Sequence, residues 1–267
     1  MTREILANNP SAMTLDGTRT YIVGTRHVAI IDPGPSLRPH RDAIIEAVAN
    51  PPSGEANVPG HGVAFDSITI LLTHTHPDHA AGARALAAEL DADVRGVAHG
   101  NLHEGDTIRT DAGALVTLAT PGHTPDHAAF WLKDAATVFC GDLMMGGLDT
   151  ALVSPPEGNL REYIESLERI RTLRPERILP AHGPPFDDAD GAVSSYIEHR
   201  MKRCEQVAAA LAGGGSLTTR EIAERVYGGE VPDDLREVAV GAVVAYLEYL
   251  EEGGRVVRVG GRWRLTA

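Results

Sequence analysis

At residues 70–79 the chain changes from an apolar run to a cluster of metal-binding side chains: Ile70-Leu71-Leu72-Thr73-His74-Thr75-His76-Pro77-Asp78-His79. Imidazole and carboxylate groups suit zinc and its neighbours in the first transition row. On an extended segment, side chains at i and i+2 point to the same side, so His74 and His76 can bind one ion together. The alternative is a polar loop whose histidines bind nothing. Four ligand-type residues at this spacing favour the metal site.

Asp78 and His79 lie where a helix is expected to begin. The segment 80–90 is rich in Ala and Leu and predicts a helix. Pro77 fixes φ and suits a first helical turn. From this turn, Asp78 and His79 can point toward a second ion beside the first.

Three further ligand-type residues, His123, Asp142 and His182, each follow or lie near the end of a predicted strand. Functional groups on loops at one edge of a rigid sheet are a common arrangement for sites. The sequence therefore predicts that five histidines and two aspartates converge, which is enough for two ions with a shared carboxylate.

The C-terminal part of the chain follows a different pattern. A long helix is expected over 192–212, a second over 220–226 and a third from 232 to about 252. Thr218 and Glu221 resemble a capping box at the start of the second helix. The Gly-Gly at 260–261 lies between two short β-type runs and predicts a hairpin. Three helices followed by a hairpin are typical of a winged helix. We therefore predict two domains, residues 1–190 and residues 191–267.

Composition limits the class of protein. The chain has 267 residues, is 43% hydrophobic and carries a formal net charge of −13. This charge argues against indiscriminate binding of nucleic acid. The sequence contains neither an apolar run long enough for a membrane span nor an N-terminal signal pattern. We expect a cytoplasmic protein without membrane contact, and a homodimer is compatible with the sequence.

The segment Thr73-His74-Thr75-His76-Pro77-Asp78-His79 resembles the H-x-H-x-D-H signature of the metallo-β-lactamase superfamily. Gly122-His123-Thr124, Gly141-Asp142 and Ala181-His182-Gly183 match the later metal motifs of that superfamily in order. The pattern is similar to the glyoxalase-II-like branch. With its C-terminal tail, the chain most resembles lactamase-like hydrolases and endoribonucleases that carry a winged helix. The resemblance implies an α/β fold, a four-layer αββα sandwich, followed by a small winged-helix domain.

The resemblance also implies a binuclear metal site. One ion would be held by His74, His76 and His123 and the other by Asp78, His79 and His182. Asp142 would bridge the two ions, and Asp78 would relay a proton. Two Zn²⁺ ions are expected, with iron or manganese as alternatives for the same ligands.

This ligand set implies a hydrolase in which a hydroxide bridging the two ions attacks an ester, thioester, lactone or phosphodiester. The expected substrate is a small-molecule ester or thioester, or single-stranded RNA. Two alternatives stay open at this point. One is an endonuclease for single-stranded RNA. The other is a nucleic-acid-binding winged-helix protein in which the metals are structural.

Residues that contact the substrate are harder to infer. Tyr196, His199 and Arg200 lie on the long helix that leaves the first domain, and Arg200 can pair with a phosphate or carboxylate. The alternative is a solvated helix face that makes an interdomain contact. The segment Thr150–Asn159 is expected to line the cleft. Four arginines of the wing favour nucleic acid, whereas the acidic helices beside them disfavour groove binding; these arginines are Arg255, Arg258, Arg262 and Arg264.

Overall fold

The structure, a computed structural model, describes residues 1–51, 65–148, 150–228, 231–232 and 235–266. Two five-stranded sheets form its centre. The first has the strand order β1 (Thr2–Leu6), β2 (Arg19–Val23), β3 (His27–Ile31), β4 (Ser67–Leu71) and β5 (Asp93–Arg95). The second contains β6 (Thr107–Thr110), β7 (Gly113–Ala119), β8 (Ala128–Leu132), β9 (Thr137–Gly141) and β10 (Arg177–Pro180), with β10 and β6 at its edges.

Strand direction changes within each sheet. In the first sheet β1, β2 and β3 are antiparallel, whereas β3, β4 and β5 are parallel. In the second sheet β6 to β9 are antiparallel and β10 is parallel to β9. The parallel strands β3 and β4 therefore end at the same edge of the first sheet, and β9 and β10 end together in the second.

The two sheets pack face to face, and helices cover their outer faces. In β3, Ala29 and Ile31 face the second sheet, whereas Val28 and Ile30 face the helices, as the two-residue period of a strand requires. The helices α1 (Arg38–Ala49) and α3 (Ala83–Leu90) cover the first sheet. The helices α4 (Leu160–Thr172) and α5 (Ala189–Ala210) cover the second. The predicted αββα sandwich is confirmed.

The C-terminal residues have the predicted order of three helices and a hairpin. After α5 come α6 (Thr219–Tyr227), α7 (Arg236–Glu252), β11 (Val256–Val259) and β12 (Arg262–Leu265). The predicted capping box is present, with the Thr218 hydroxyl accepting from the Glu221 N–H. Residues 233–234, at the predicted start of the third helix, lie outside the described residues. The predicted domain boundary at 190/191 falls within the first turn of α5, and it stays a prediction.

Two elements differ from the sequence-based expectation. The segment Thr2–Leu6 forms β1, which was not predicted from the sequence. The helix expected over 80–90 is divided into α2 (Pro77–Ala80) and α3. A Cβ atom at Gly82 would lie 3.1 Å from the carbonyl oxygens of Pro33 and Gly34, so the loop after β3 presses against the break between the helices.

The two cysteines, Cys140 and Cys204, are buried free thiols. Burial raises the pKa of both thiols. Both observations are those of ordinary reduced side chains. In the described part of the chain, every helix is too short or too polar to cross a bilayer.

The carboxylate of Asp111 joins the two sheets at one end of the molecule. It lies in the turn between β6 and β7 and accepts hydrogen bonds from three backbone N–H groups of the β2–β3 turn, those of Thr25, Arg26 and His27, at 2.9–3.0 Å. Burial acts to raise the pKa of Asp111, but these hydrogen bonds outweigh it and hold the pKa well below its ordinary value.

We expect Asp111→Ala to lower the free energy of unfolding by about 1–3 kcal/mol, because it removes the acceptor from three N–H groups. Asp111→Asn keeps an oxygen acceptor but loses the charge. It should lower the free energy of unfolding by less than Asp111→Ala does. Chemical denaturation measures both. Asp134→Ala, at an exposed carboxylate of the neighbouring β8–β9 turn, is the control. Equal losses for Asp111→Ala and this control would contradict the role of Asp111.

Candidate metal centre

The seven ligand-type residues meet at the edge where β4, β7, β9 and β10 end. His74 and His76 follow β4, Asp78 and His79 lie in α2, and the others follow β7, β9 and β10 in turn. Their ligand atoms form two groups, and within each group all atoms lie within 4.8 Å of one another. The first group contains His74, His76, His123 and Asp142, and the second contains Asp78, His79 and His182.

The carboxylate of Asp142 lies between the two groups. Its Oδ1 atom is 3.3 Å from His79 Nε2 and 3.2 Å from His182 Nε2. Its Oδ2 atom is 3.6 Å from His123 Nε2. Each oxygen therefore faces a different group, which is the arrangement a bridging carboxylate needs.

Several atoms at this site are buried without a hydrogen-bond partner. They are the Nε2 atoms of His74, His79 and His182 and the Oδ1 atom of Asp142. Most buried polar atoms in folded proteins have a partner, so a convergent set of buried polar atoms without one calls for an explanation. Metal ions provide one, because neutral imidazole and carboxylate are suitable ligands.

The second nitrogen of each histidine is held from outside the cluster. This is the usual support of a metal-binding imidazole, because it fixes the tautomer and the ring orientation. Each nitrogen lies 2.8–3.2 Å from an acceptor, and the pairs are His74 Nδ1 with Thr73 Oγ1, His76 Nε2 with Glu157 Oε2, His79 Nδ1 with Asp32 Oδ2, His123 Nδ1 with the Leu152 carbonyl, and His182 Nδ1 with the Gly17 carbonyl. The residues present therefore fit two bound ions.

Asp32 supports the cluster, although the sequence alone did not single it out. Its Oδ1 accepts the Thr73 N–H at 2.8 Å, and its Oδ2 accepts the Thr73 hydroxyl at 2.7 Å and His79 Nδ1 at 2.9 Å. Ile31 is paired with Leu71 in the parallel sheet, so the residues after both strands meet at one edge. An acidic residue at the end of the strand next to β4 is the signal that identifies this position.

His127 holds the backbone of Asp142. Its side chain is buried but belongs to neither group of ligand atoms. Its Nε2 accepts the Asp142 N–H at 3.2 Å. Its Nδ1 lies 2.8 Å from the Thr120 hydroxyl. Burial lowers the pKa of His127 to about 3, which keeps the ring neutral and its Nε2 able to accept.

Charges within the cluster compensate one another. Burial acts to lower the pKa of His182, but the carboxylate of Asp142, whose Oδ1 lies 3.2 Å from His182 Nε2, outweighs it and raises the pKa to about 9. Burial acts to raise the pKa of Asp142, but His79 and His182 hold that pKa well below its ordinary value. The protonated imidazoles thus stabilise the buried carboxylate. Bound cations can replace these protons, because ligand imidazoles must be deprotonated.

The three residues expected to contact substrate occupy different environments. Tyr196 is buried, and its hydroxyl bonds to the backbone of Met145 at 2.7 Å. Arg200 is also buried and donates to the Ala151 carbonyl and, at 2.9 Å, to the Tyr246 hydroxyl. His199 and Arg200 line a cavity of about 290 Å³, together with part of the segment 150–159. Contact of Tyr196, His199 and Arg200 with substrate stays a prediction.

The wing arginines make contacts within their own domain and with α5. Arg255 forms a two-point ion pair with Glu205, at 2.5 and 2.8 Å. Arg262 pairs with Glu221 at 2.8 Å. The Arg258 guanidinium lies 5.5 Å from the centre of the Trp263 ring. These contacts give three of the four arginines a structural role.

A two-sheet sandwich with a histidine and aspartate cluster at one edge defines a class of metal-binding α/β proteins. The chain belongs to the metallo-beta-lactamase superfamily, whose sequence pattern matches residues 13–109 and 96–182. The pattern of the beta-lactamase associated winged helix domain matches residues 218–263. The family expected from the motifs, including its winged-helix tail, is confirmed.

Individual proteins resemble the chain over most of its length. It is 30% identical to a beta-lactamase-like protein 2 homolog from Caenorhabditis elegans, over 94% of this chain and 84% of the relative. It is 29% identical to an atrochrysone carboxyl ACP thioesterase from Aspergillus chevalieri, over 88% of this chain and 76% of that protein. The solved structure of a beta-lactamase domain protein from Burkholderia ambifaria shares the fold, with a TM-score of 0.81, 21% identity and coverage of 99% and 91% of the two chains.

Gly141, the last residue of β9, has a backbone conformation that places Asp142 in the metal centre. Its φ is +52°, and a Cβ atom there would lie 2.8 Å from both His127 Nε2 and Thr73 Oγ1. We expect Gly141→Ala to lower both bound metal and thermal stability, because the new methyl group displaces the residues that position Asp142 and His74. Elemental analysis after metal loading and the thermal unfolding midpoint measure the two effects.

Gly147→Ala is the matched control for this prediction. Gly147 also has a positive φ, +79°, but a Cβ atom there would have no neighbour closer than 3.7 Å. The control therefore introduces backbone strain without the collision. Equal metal content in the two variants would contradict the proposed steric reason.

Proposed function

We propose that this chain is a metal-dependent hydrolase that cleaves a small-molecule thioester or ester with two divalent ions, in the first instance zinc. One observation carries the proposal. Two groups of buried ligand atoms face each other across Asp142, and the far nitrogen of each histidine is already held by an acceptor. This is the support that a binuclear site requires.

Two bound ions would lower the pKa of a shared water toward ~7 and polarise the attacked oxygen. The residues of the chain then have separate tasks. Asp142 keeps the two ligand groups together. Asp78 has the more exposed carboxylate, with 27% of its side chain accessible against 12% for Asp142. Asp78 can therefore take a proton from the attacking water and return it to the leaving thiolate or alkoxide.

Three observations favour a thioester or ester over RNA. A relative that matches 88% of the chain is named as a thioesterase. The net charge of −13 opposes contact with a polyanion. Arg255 and Arg262 of the wing already form ion pairs with glutamates, so neutralising phosphates would require these pairs to break.

Metal analysis and a substrate panel test this proposal together. We expect the purified protein to bind about two ions per chain and to hydrolyse acyl thioesters, with activity lost on chelation and restored by zinc. The panel also contains esters, lactones, a phosphodiester and labelled single-stranded RNA. Cleavage of the phosphodiester or of RNA alone would contradict the substrate class.

Asp142→Ala tests the ligand assignment. We expect it to lower metal content and to reduce turnover by at least about 10- to 100-fold. Loss of a residue that only supports a metal ligand already has an effect of about that size. Asp187→Ala, which removes an exposed carboxylate paired with Arg177, is the control. Unchanged metal content and rate in Asp142→Ala would show that this carboxylate does not bridge the ions.

A further inference from the structure

A cavity of about 290 Å³ lies beside the metal centre, between the segment after Asp142, α5 and α7. Met145 and Leu152 contribute to its wall. Leu152 is also the residue whose carbonyl accepts His123 Nδ1 at 2.8 Å. The wall of the cavity and the support of the first ligand group are therefore parts of one segment. The volume is near the lower end of small-molecule sites, which span about 300–1,000 Å³.

Among the residues that the structure describes, the charged side chains that line this cavity are arginines. Three basic side chains line it, those of His199, Arg200 and Arg203, and among the described residues no Asp or Glu does. This is unusual for a chain with a net charge of −13. The cavity is therefore complementary to an anion.

Arg200 strengthens this argument because it is only 2% exposed. Its guanidinium donates to two neutral oxygens, of Ala151 and Tyr246, and its Nε has no hydrogen-bond partner. Within the described ranges, no carboxylate lies at ion-pair distance from Arg200 or Arg203. A buried charge without a counter-ion is costly, and an anionic ligand would remove that cost.

The remaining wall of the cavity is apolar. Leu148 and Val153 come from the segment after Asp142, and Leu235, Val238 and Ala242 come from α7 and the residue before it. The ligand that fits such a wall has an apolar body and one anionic group. Helix α7 approaches the opposite wall closely, since a Cβ atom at Gly241 would lie 2.3 Å from Ser154 Oγ. The C-terminal domain thus completes the cavity.

We propose that this cavity binds an apolar chain or ring that carries a carboxylate or phosphate, with the anion paired to Arg200 and Arg203. Identifying this ligand as the acyl part of the substrate rests on the proposed hydrolase function. Binding of such a ligand to the cavity does not rest on that function, and it can be measured without turnover.

The test is fluorescence titration of the full-length protein with dansyl-labelled undecanoic acid and with its methyl ester. We expect the acid to bind at least about tenfold more tightly than the ester, as a charge-assisted contact implies. Arg203→Gln should weaken binding of the acid about tenfold and leave the ester unchanged. Lys202→Gln, which removes an exposed positive charge from the adjacent position, should change neither.

A second variant keeps the proposal testable if the charge change disturbs folding. Ala242→Phe adds a ring to the cavity wall, so it should abolish binding of both probes while the thermal unfolding midpoint stays close to that of the parent. Dodecanoate and dodecyl phosphate are competitors that differ only in the anion. Displacement of the probe by either one, but not by dodecanol, supports the proposal.

Equal affinity for the acid and the methyl ester would overturn the proposal, and so would unchanged binding in both Arg203→Gln and Ala242→Phe. The measurements distinguish failure of the cavity proposal from failure of the proposed hydrolase function. Thioester turnover without probe binding would refute the cavity alone. Probe binding without turnover would refute the hydrolase and leave the cavity as a site for an amphipathic anion.

Discussion

The carboxylate of Asp142 is buried between two groups of imidazoles, and this interaction constrains everything around it. A single negative charge has to be held where water cannot stabilise it. The chain meets this requirement in three ways. Gly141 takes a left-handed conformation that aims the carboxylate, His127 accepts its backbone N–H, and His79 and His182 supply compensating positive charge. These contacts require the ends of β4, β9 and β10 to lie at one edge. The arrangement of strands in the sandwich therefore determines where the Asp142 carboxylate lies.

Residues with a local signature were predictable from the sequence. The capping box at Thr218 is where the pattern indicated, because Thr followed by Glu three residues later is a local signal of a helix start. The ligand-type residues that the structure brings together all follow or lie near strand ends. Their common position is visible in the sequence, because apolar runs stop abruptly at these points.

Other features depend on the path of the whole chain. The carbonyl groups of Gly17 and Leu152 support two histidines, and a backbone carbonyl has no side-chain signature to recognise. The break between α2 and α3 results from contact of Gly82 with the loop after β3, which is distant in sequence. The cavity requires the relative placement of α7 and the segment after Asp142. Local patterns do not encode these long-range approaches.

The wall of the cavity comes from residues that bind no metal. The ligand-type residues end at His182, whereas Arg200, Arg203 and the face of α7 follow it in the chain. Substitutions in α7 can therefore change the size and polarity of the cavity while the histidine and aspartate cluster stays the same. Selection can act on the two properties separately. In the proposed hydrolase, changes in the C-terminal helices would alter which ligand the cavity accepts without altering the metal cluster of the sandwich.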